Sequence, residues 1–166
     1  MPDDFRRALT RELEALAREV ELFPDDDSLW RTLPGVTNSA GNLALHACGN
    51  LNHFVGAVLG RSGYVRRRDA EFGARSGRRE EVARQVRETA GVVSSVLARL
   101  APGVLDAPYP EAHDGVRLPC RTFLLHLCTH LAFHLGQAGY LRRALTGDSR
   151  TSGAISLREL GERDRG

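Results

Sequence analysis

Apolar residues recur along this chain at intervals of three and four, the repeat that places side chains on one face of an α-helix. The first run covers about residues 3–21, where Phe5, Leu9, Leu13, Leu16 and Val20 form a stripe and arginines and glutamates cover the other side. Asp3 or Asp4 suits its start, because carboxylates complement the N-terminal end of the helix dipole. Pro24 and the run Asp25-Asp26-Asp27 end it. A second helix is expected after Asn38 or Ser39, both good N-caps, with Leu43, Ala47, Asn50, Leu51, Phe54 and Val58 inward and Gly60, Ser62 and Gly63 as the stop. His46 falls on the same stripe. The third runs from about Arg79 to Leu100, with Val82, Val86, Val93, Leu97 and Leu100 inward. The fourth starts between Pro119 and Thr122 and ends at Thr146-Gly147, with Leu124, Leu127, Leu131 and Leu135 as its core face.

The connections complete the picture. Residues 61–77 are basic, punctuated by glycine and not periodic, and they are too many for a simple link between antiparallel neighbours. A connection of this length crosses the end of a bundle. Residues 101–118 are irregular, with a turn at Asp114-Gly115 and a short extended excursion. The expected fold is therefore an all-α four-helix bundle over residues 1–147, with a long crossover between helices two and three. A flexible C-terminal tail over 148–166 follows it.

Composition narrows the class without naming a function. A length of 166 residues suits one domain, and 27% charged against 42% apolar residues is ordinary for a soluble protein. The net charge of +2 argues against a nucleic-acid partner. No run approaches the roughly 20 apolar residues of a membrane span, and the charged first twenty residues do not read as a secretory signal. Cys48, Cys120 and Cys128 form no CxxC and read as reduced thiols, so the cytoplasm is the expected location.

The histidines carry the chemistry. His126, His130 and His134 succeed one another at intervals of four, so neighbouring rings share a face about 6 Å apart along the axis. Two adjacent members suit one metal ion, whereas the outer two are too far apart to share it. A third ligand must come from another element. His46 is the first choice, because it lies on the inward stripe of helix two, and His53, seven residues on, is the reserve. His113, in a loop beside a turn, is expected to be solvated. Each buried imidazole nitrogen left without a partner costs about 1–3 kcal/mol, a penalty that a shared metal removes. Cys48 and Cys128 each lie two residues from a candidate ligand, about 200° around the helix, and read as small buried hydrophobes. Arg66-Arg67-Arg68 offers positive charge for an anionic substrate, although a short charge run is usually solvated. No acidic residue stands beside the histidine motif in the sequence, so no general base is named.

Two segments resemble a known family. Helix two reads Asn38-Ser39-Ala40-Gly41-Asn42-Leu43-Ala44-Leu45-His46 and then Gly49-Asn50-Leu51; helix four carries Leu125-His126, His130 and His134-Leu135-Gly136-Gln137. One histidine on helix two plus HxxxH on helix four, followed by Gly-Gln, is similar to the DinB-like superfamily of damage-inducible and thiol-transferase-like bundles. The resemblance covers about residues 5–147. It implies a bundle with a parallel middle pair, commonly a homodimer. It also implies a three-histidine metal site on His46, His130 and His134, with zinc or nickel as the usual occupant. Some members transfer low-molecular-weight thiols such as bacillithiol, or use mycothiol as a cofactor. Three protein ligands leave a coordination position open, as in catalytic zinc sites. Asn50, His126, Gln137 and His53 are the expected orienting or lining residues. The function that follows is metal-dependent S-transfer from such a thiol to a small-molecule substrate. A metal-dependent hydrolase and a bundle with a purely structural metal are the alternatives.

Overall fold

The computed structural model describes residues 2–113, 115–153, 157 and 160. Helix α1 covers Pro2–Glu21, α2 Asp26–Trp30, α3 Ala40–Leu51, α4 Arg68–Gly73, α5 Arg79–Ala98 and α6 Cys120–Thr146. A π-helical turn, Asn52–Leu59, continues α3, and a 3₁₀ turn, Pro102–Leu105, follows α5. The four long helices are those expected from periodicity. The described residues contain no strand, only the isolated bridges Pro108–Pro119 and His113–Val116 that make up the expected extended excursion.

The expected stripes form the core. Leu9, Leu13, Leu16 and Val20 of α1 pack with Val82, Val86, Val93 and Leu97 of α5 and with Leu124, Leu127, Leu131 and Leu135 of α6. Helix α3 contributes Leu43, Ala47 and Leu51 between α5 and α6. Asp3 and Asp4 lie within the first turn of α1, so neither is its cap. At α3 the cap is Ser39: its Oγ accepts from the Asn42 backbone N–H at 3.1 Å, while Asn42 Oδ1 accepts from the Ser39 N–H at 3.2 Å.

Two features depart from the sequence expectation. The second helix does not continue as α-helix to Gly60, but switches at Asn52 to i→i+5 bonding. Gly56 and Gly60 bring this turn onto Val92 and Val96 of α5, where a Cβ at Gly60 would overlap the Val96 side chain. The long crossover, expected to be irregular throughout, contains α4. That short helix is fixed by Asn42, whose Nδ2 donates to the carbonyls of Glu71 at 3.0 Å and Ala74 at 2.9 Å. Asn42, the partner of the Ser39 cap, thereby clamps α4 beside α3.

Most of the expected 148–166 tail lies outside the described residues. Its first part is tied to the bundle: Arg142 Nη1 donates to the Asp148 carbonyl at 3.1 Å, and Arg18 Nε donates to the Ser152 carbonyl at 2.9 Å.

Candidate metal centre

Helices α3 and α6 bring His46, His130 and His134 together, with one ring nitrogen of each within 4.8 Å of the others. The Nε2 atoms of His134 and His130 are 3.1 Å apart, and those of His46 and His130 are 3.4 Å apart. Tetrahedral nitrogen ligands at about 2.0–2.1 Å from one ion would stand roughly 3.3 Å from each other. His46 is buried and the other two are half-buried.

Hydrogen bonds at the far ring nitrogens fix which way the lone pairs face. His46 Nδ1 lies 3.1 Å from Glu71 Oε2 and 3.1 Å from Arg66 Nη2. Arg66 donates to both carboxylate oxygens, from Nε to Oε1 and from Nη2 to Oε2, each at 2.8 Å. If Nδ1 were an acceptor, its lone pair would face that of Oε2, so Nδ1 carries the proton and donates to Glu71. His134 Nδ1 likewise donates to Gln137 Oε1 at 2.8 Å. Both rings then present bare Nε2 lone pairs towards His130. Its single Nε2 can supply at most one proton to two acceptors. This donor set fits a cation, which all three ring nitrogens could face at once.

The surroundings favour the neutral form of His46 and of His130. Burial, then the neighbouring histidines and Arg66, lower the His130 pKa to about 4. Burial also lowers that of His46, against its hydrogen bond to Glu71, which raises it. Burial pushes the Glu71 carboxyl up, but the hydrogen bonds and charges of Arg66 and His46 outweigh it and hold it below its ordinary value. Neutral imidazoles beside an ionised carboxylate are the protonation states a metal requires.

Glu71 is the residue that sequence reasoning missed. It stands 25 positions from His46 in an aperiodic connection, and no spacing rule links the two. The expectation that no acid adjoins the motif is corrected: one does, but it comes from α4. Arg66 is half-buried in that ion pair, so the first arginine of the basic run is not simply solvated.

The remaining candidates divide. His126 lies beside the triad, its ring centroid 5.8 Å from that of His130. Asn50 is 8% exposed and lines a cavity of about 340 Å³ together with His46, His126 and His130. His53 does not join the triad; carried on the π-helical turn, it pairs with Glu111 at 3.2 Å. His113 is exposed but stands edge-on to Phe54, ring centroids 5.4 Å apart, and borders the same cavity. Burial raises the Cys48 thiol to about 12 and, with a contribution from Glu12, the Cys128 thiol to about 11. Burial thus disfavours the thiolate at both positions.

Fold and triad together define a helical-bundle protein with a three-histidine site that could hold one metal ion. The chain belongs to the mycothiol-S-transferase family, whose model matches residues 4–147, within the DinB/YfiT-like clan of thiol-transferase-like proteins. Comparison with curated proteins and with solved structures gave no match. No helix among the described residues is long and apolar enough to cross a membrane.

Proposed function

We propose that this protein is a metal-dependent S-transferase that acts with a low-molecular-weight thiol of the mycothiol type. His46, His130 and His134 would hold the divalent ion, zinc or nickel. The observation that carries this reading is the convergence of His46, His130 and His134, one ring nitrogen of each within 4.8 Å of the others, in a chain of this family. When bound, the ion supplies the Lewis acidity that lets a thiol ionise at neutral pH.

The chain's own residues prepare that chemistry. Glu71 holds the His46 proton on Nδ1, and Gln137 does the same for His134, so neither ring has to turn to receive the ion. Asn50 and His126 offer hydrogen-bonding groups in the adjoining cavity for the polar body of the thiol. The hydrolase alternative is weaker, because both oxygens of Glu71, the acid nearest the triad, are occupied by Arg66. We further propose a cytoplasmic location, where such thiols are reduced. A homodimer is proposed as well, supported by the exposed Leu125 and Phe133 on α6.

Cobalt substitution tests the reading. Titration of the cobalt protein with cellular thiols is expected to add a near-ultraviolet thiolate-to-cobalt band that His130→Ala lacks. His126→Ala is expected to retain stoichiometric metal. If no thiol perturbs the cobalt spectrum, the transferase reading falls and a structural metal gains. Equal metal loss from both substitutions would place the ligand pair at the wrong positions.

A further inference from the structure

Helix α4 carries Glu71, yet little within the helix holds it in place. It has six residues, too few to persist alone, and no side chain caps its start. Asn42, His46 and Gly49, which fasten it, all belong to α3. On the side towards α5 there is a cavity of about 450 Å³. Ala70 and Glu71 form one wall of it, and α5 from Gln85 to Val92 forms another, two helical turns or about 10 Å long. The cavity and the metal centre share Glu71, whose carboxylate lines the one and accepts from His46 Nδ1 at 3.1 Å in the other. Three charged side chains line this space. Glu71 is paired with Arg66, and Glu88 with Arg84. Arg67 has no carboxylate partner among the described residues, so the uncompensated charge is positive. Leu45, Cys48 and Val92 add apolar lining.

We propose that this cavity is an effector site for a small monocarboxylate with an apolar body, and that its occupancy tightens metal binding by fastening α4. The volume is in the range of small-ligand sites. The carboxylate would lie on the Arg67 guanidinium, whose donors match its two oxygens, with the apolar body against Leu45, Cys48 and Val92. One unpaired cation beside two carboxylates suits a single negative charge, whereas a phosphate monoester brings nearly two. Arg67 also opens α4: its carbonyl accepts from the Ala70 N–H at 3.0 Å and from the Glu71 N–H at 3.3 Å. An occupant that ties down Arg67 and fills the space to α5 therefore holds the first turn of α4, and with it the carboxylate that orients His46. By linkage, zinc must raise the affinity for the occupant by the factor by which the occupant raises that for zinc. The inference goes beyond the S-transferase reading: it needs the triad to take a metal, but not the transfer of any thiol.

The test uses the full chain and 4-phenylbutyrate as probe, with 4-phenylbutanol and 3-phenylpropyl phosphate for comparison. Calorimetry on the metal-free protein is expected to show 4-phenylbutyrate binding about tenfold or more tighter than the alcohol, and tighter than the phosphate. Arg67→Ala removes the charge, and Ala70→Trp, at an exposed position, fills the space. Each is expected to weaken the probe about tenfold or more with the melting temperature unchanged. Arg68→Ala, in the cavity beside the histidines, is expected to leave probe binding as in wild type. Saturating probe is expected to raise zinc affinity about fivefold or more in chelator competition, and Arg67→Ala to abolish that gain. No probe binding to the metal-free protein would overturn the proposal, as would tighter binding of the phosphate or the alcohol. Loss of binding in Arg68→Ala but not in Arg67→Ala would put the probe beside the histidines and overturn it too. A zinc affinity that the probe does not change would refute the coupling, and a gain that survives in Arg67→Ala would place the carboxylate on the ion itself. Absence of a thiol band in the cobalt protein would instead sink the S-transferase reading and leave every one of these arms intact.

Discussion

Glu71 does its work through one proton. Its carboxylate accepts from His46 Nδ1 and from two Arg66 nitrogens, so the ring is locked with Nε2 towards the other histidines. Room for that carboxylate depends on Gly49, because a Cβ there would overlap Glu71 Oε1. Gly49→Ala is therefore expected to dislodge the carboxylate and lower zinc affinity about 10–100-fold, the usual effect of losing a group that orients a metal-binding histidine. Glu71→Gln should show a loss of the same order. Competition against a chromophoric chelator measures both, and wild-type affinity in Gly49→Ala would refute the role given to Glu71. His130 makes a pH prediction for the metal-free protein. Its pKa of about 4 in the folded state lies below the ordinary 6.5, so between those values the unfolded chain binds more protons than the folded one. Stability is then full above about pH 6.5 and falls as pH drops towards 4. His46, also lowered, acts in the same direction. Urea unfolding at pH 7 and pH 5 should show a smaller difference for His130→Gln than for wild type, and an equal or larger one would contradict this account.

At the scale of elements, the site is a joint between one helix that the sequence announces and one that it hides. Helix α6 was legible because its leucines keep the helical repeat and its histidines follow one another by four, so their common face follows from the turn angle alone. The same reasoning put His46 inward on α3. It failed at His53, since the i→i+5 turn that begins at Asn52 breaks the phase on which a seven-residue spacing relies. It failed also at α4, a helix of six residues, too short for periodicity to show and stabilised by contacts made outside itself. Those contacts come from Asn42, which reads locally as a capping residue and acts at long range as the clamp on α4. Asn42→Ala is expected to cost about 1–3 kcal/mol in stability, because the Glu71 and Ala74 carbonyls lose their donor. It should also weaken zinc binding, because α4 carries Glu71. A double substitution, Asn42→Ala with Glu71→Gln, should bind zinc no more weakly than Glu71→Gln alone if the two act through the same carboxylate. Additive losses would separate them.

At the scale of the molecule, the family match ends at residue 147, but the packing does not. Arg142 is fully buried on α6 and forms an ion pair with Glu19 of α1, itself 1% exposed. The Glu19 carboxylate leaves most of a guanidinium's five donors without partners, and the Asp148 carboxylate stands 3.6 Å from Nη1. Acceptors past the end of α6 supply them: Nη1 donates to the Asp148 carbonyl at 3.1 Å and Nη2 to the Arg150 carbonyl. Arg18 of α1 then holds the Ser152 carbonyl at 2.9 Å. A buried charge is tolerated only when its hydrogen bonds are complete, so these residues form the cover of a buried ion pair. A chain ending at Gly147 should consequently be less stable than the full chain by about 1–3 kcal/mol, the cost of leaving buried donors unsatisfied. The comparison is best made against Arg142→Met in both lengths. In the full chain that substitution strands Glu19 and should cost about 3–5 kcal/mol. Once the substitution has removed the guanidinium donors, shortening the chain should matter much less. If denaturant unfolding shows the same loss on truncation with arginine or methionine at this position, the carbonyls after Gly147 contribute nothing through Arg142. The structural domain would then end where the family match does.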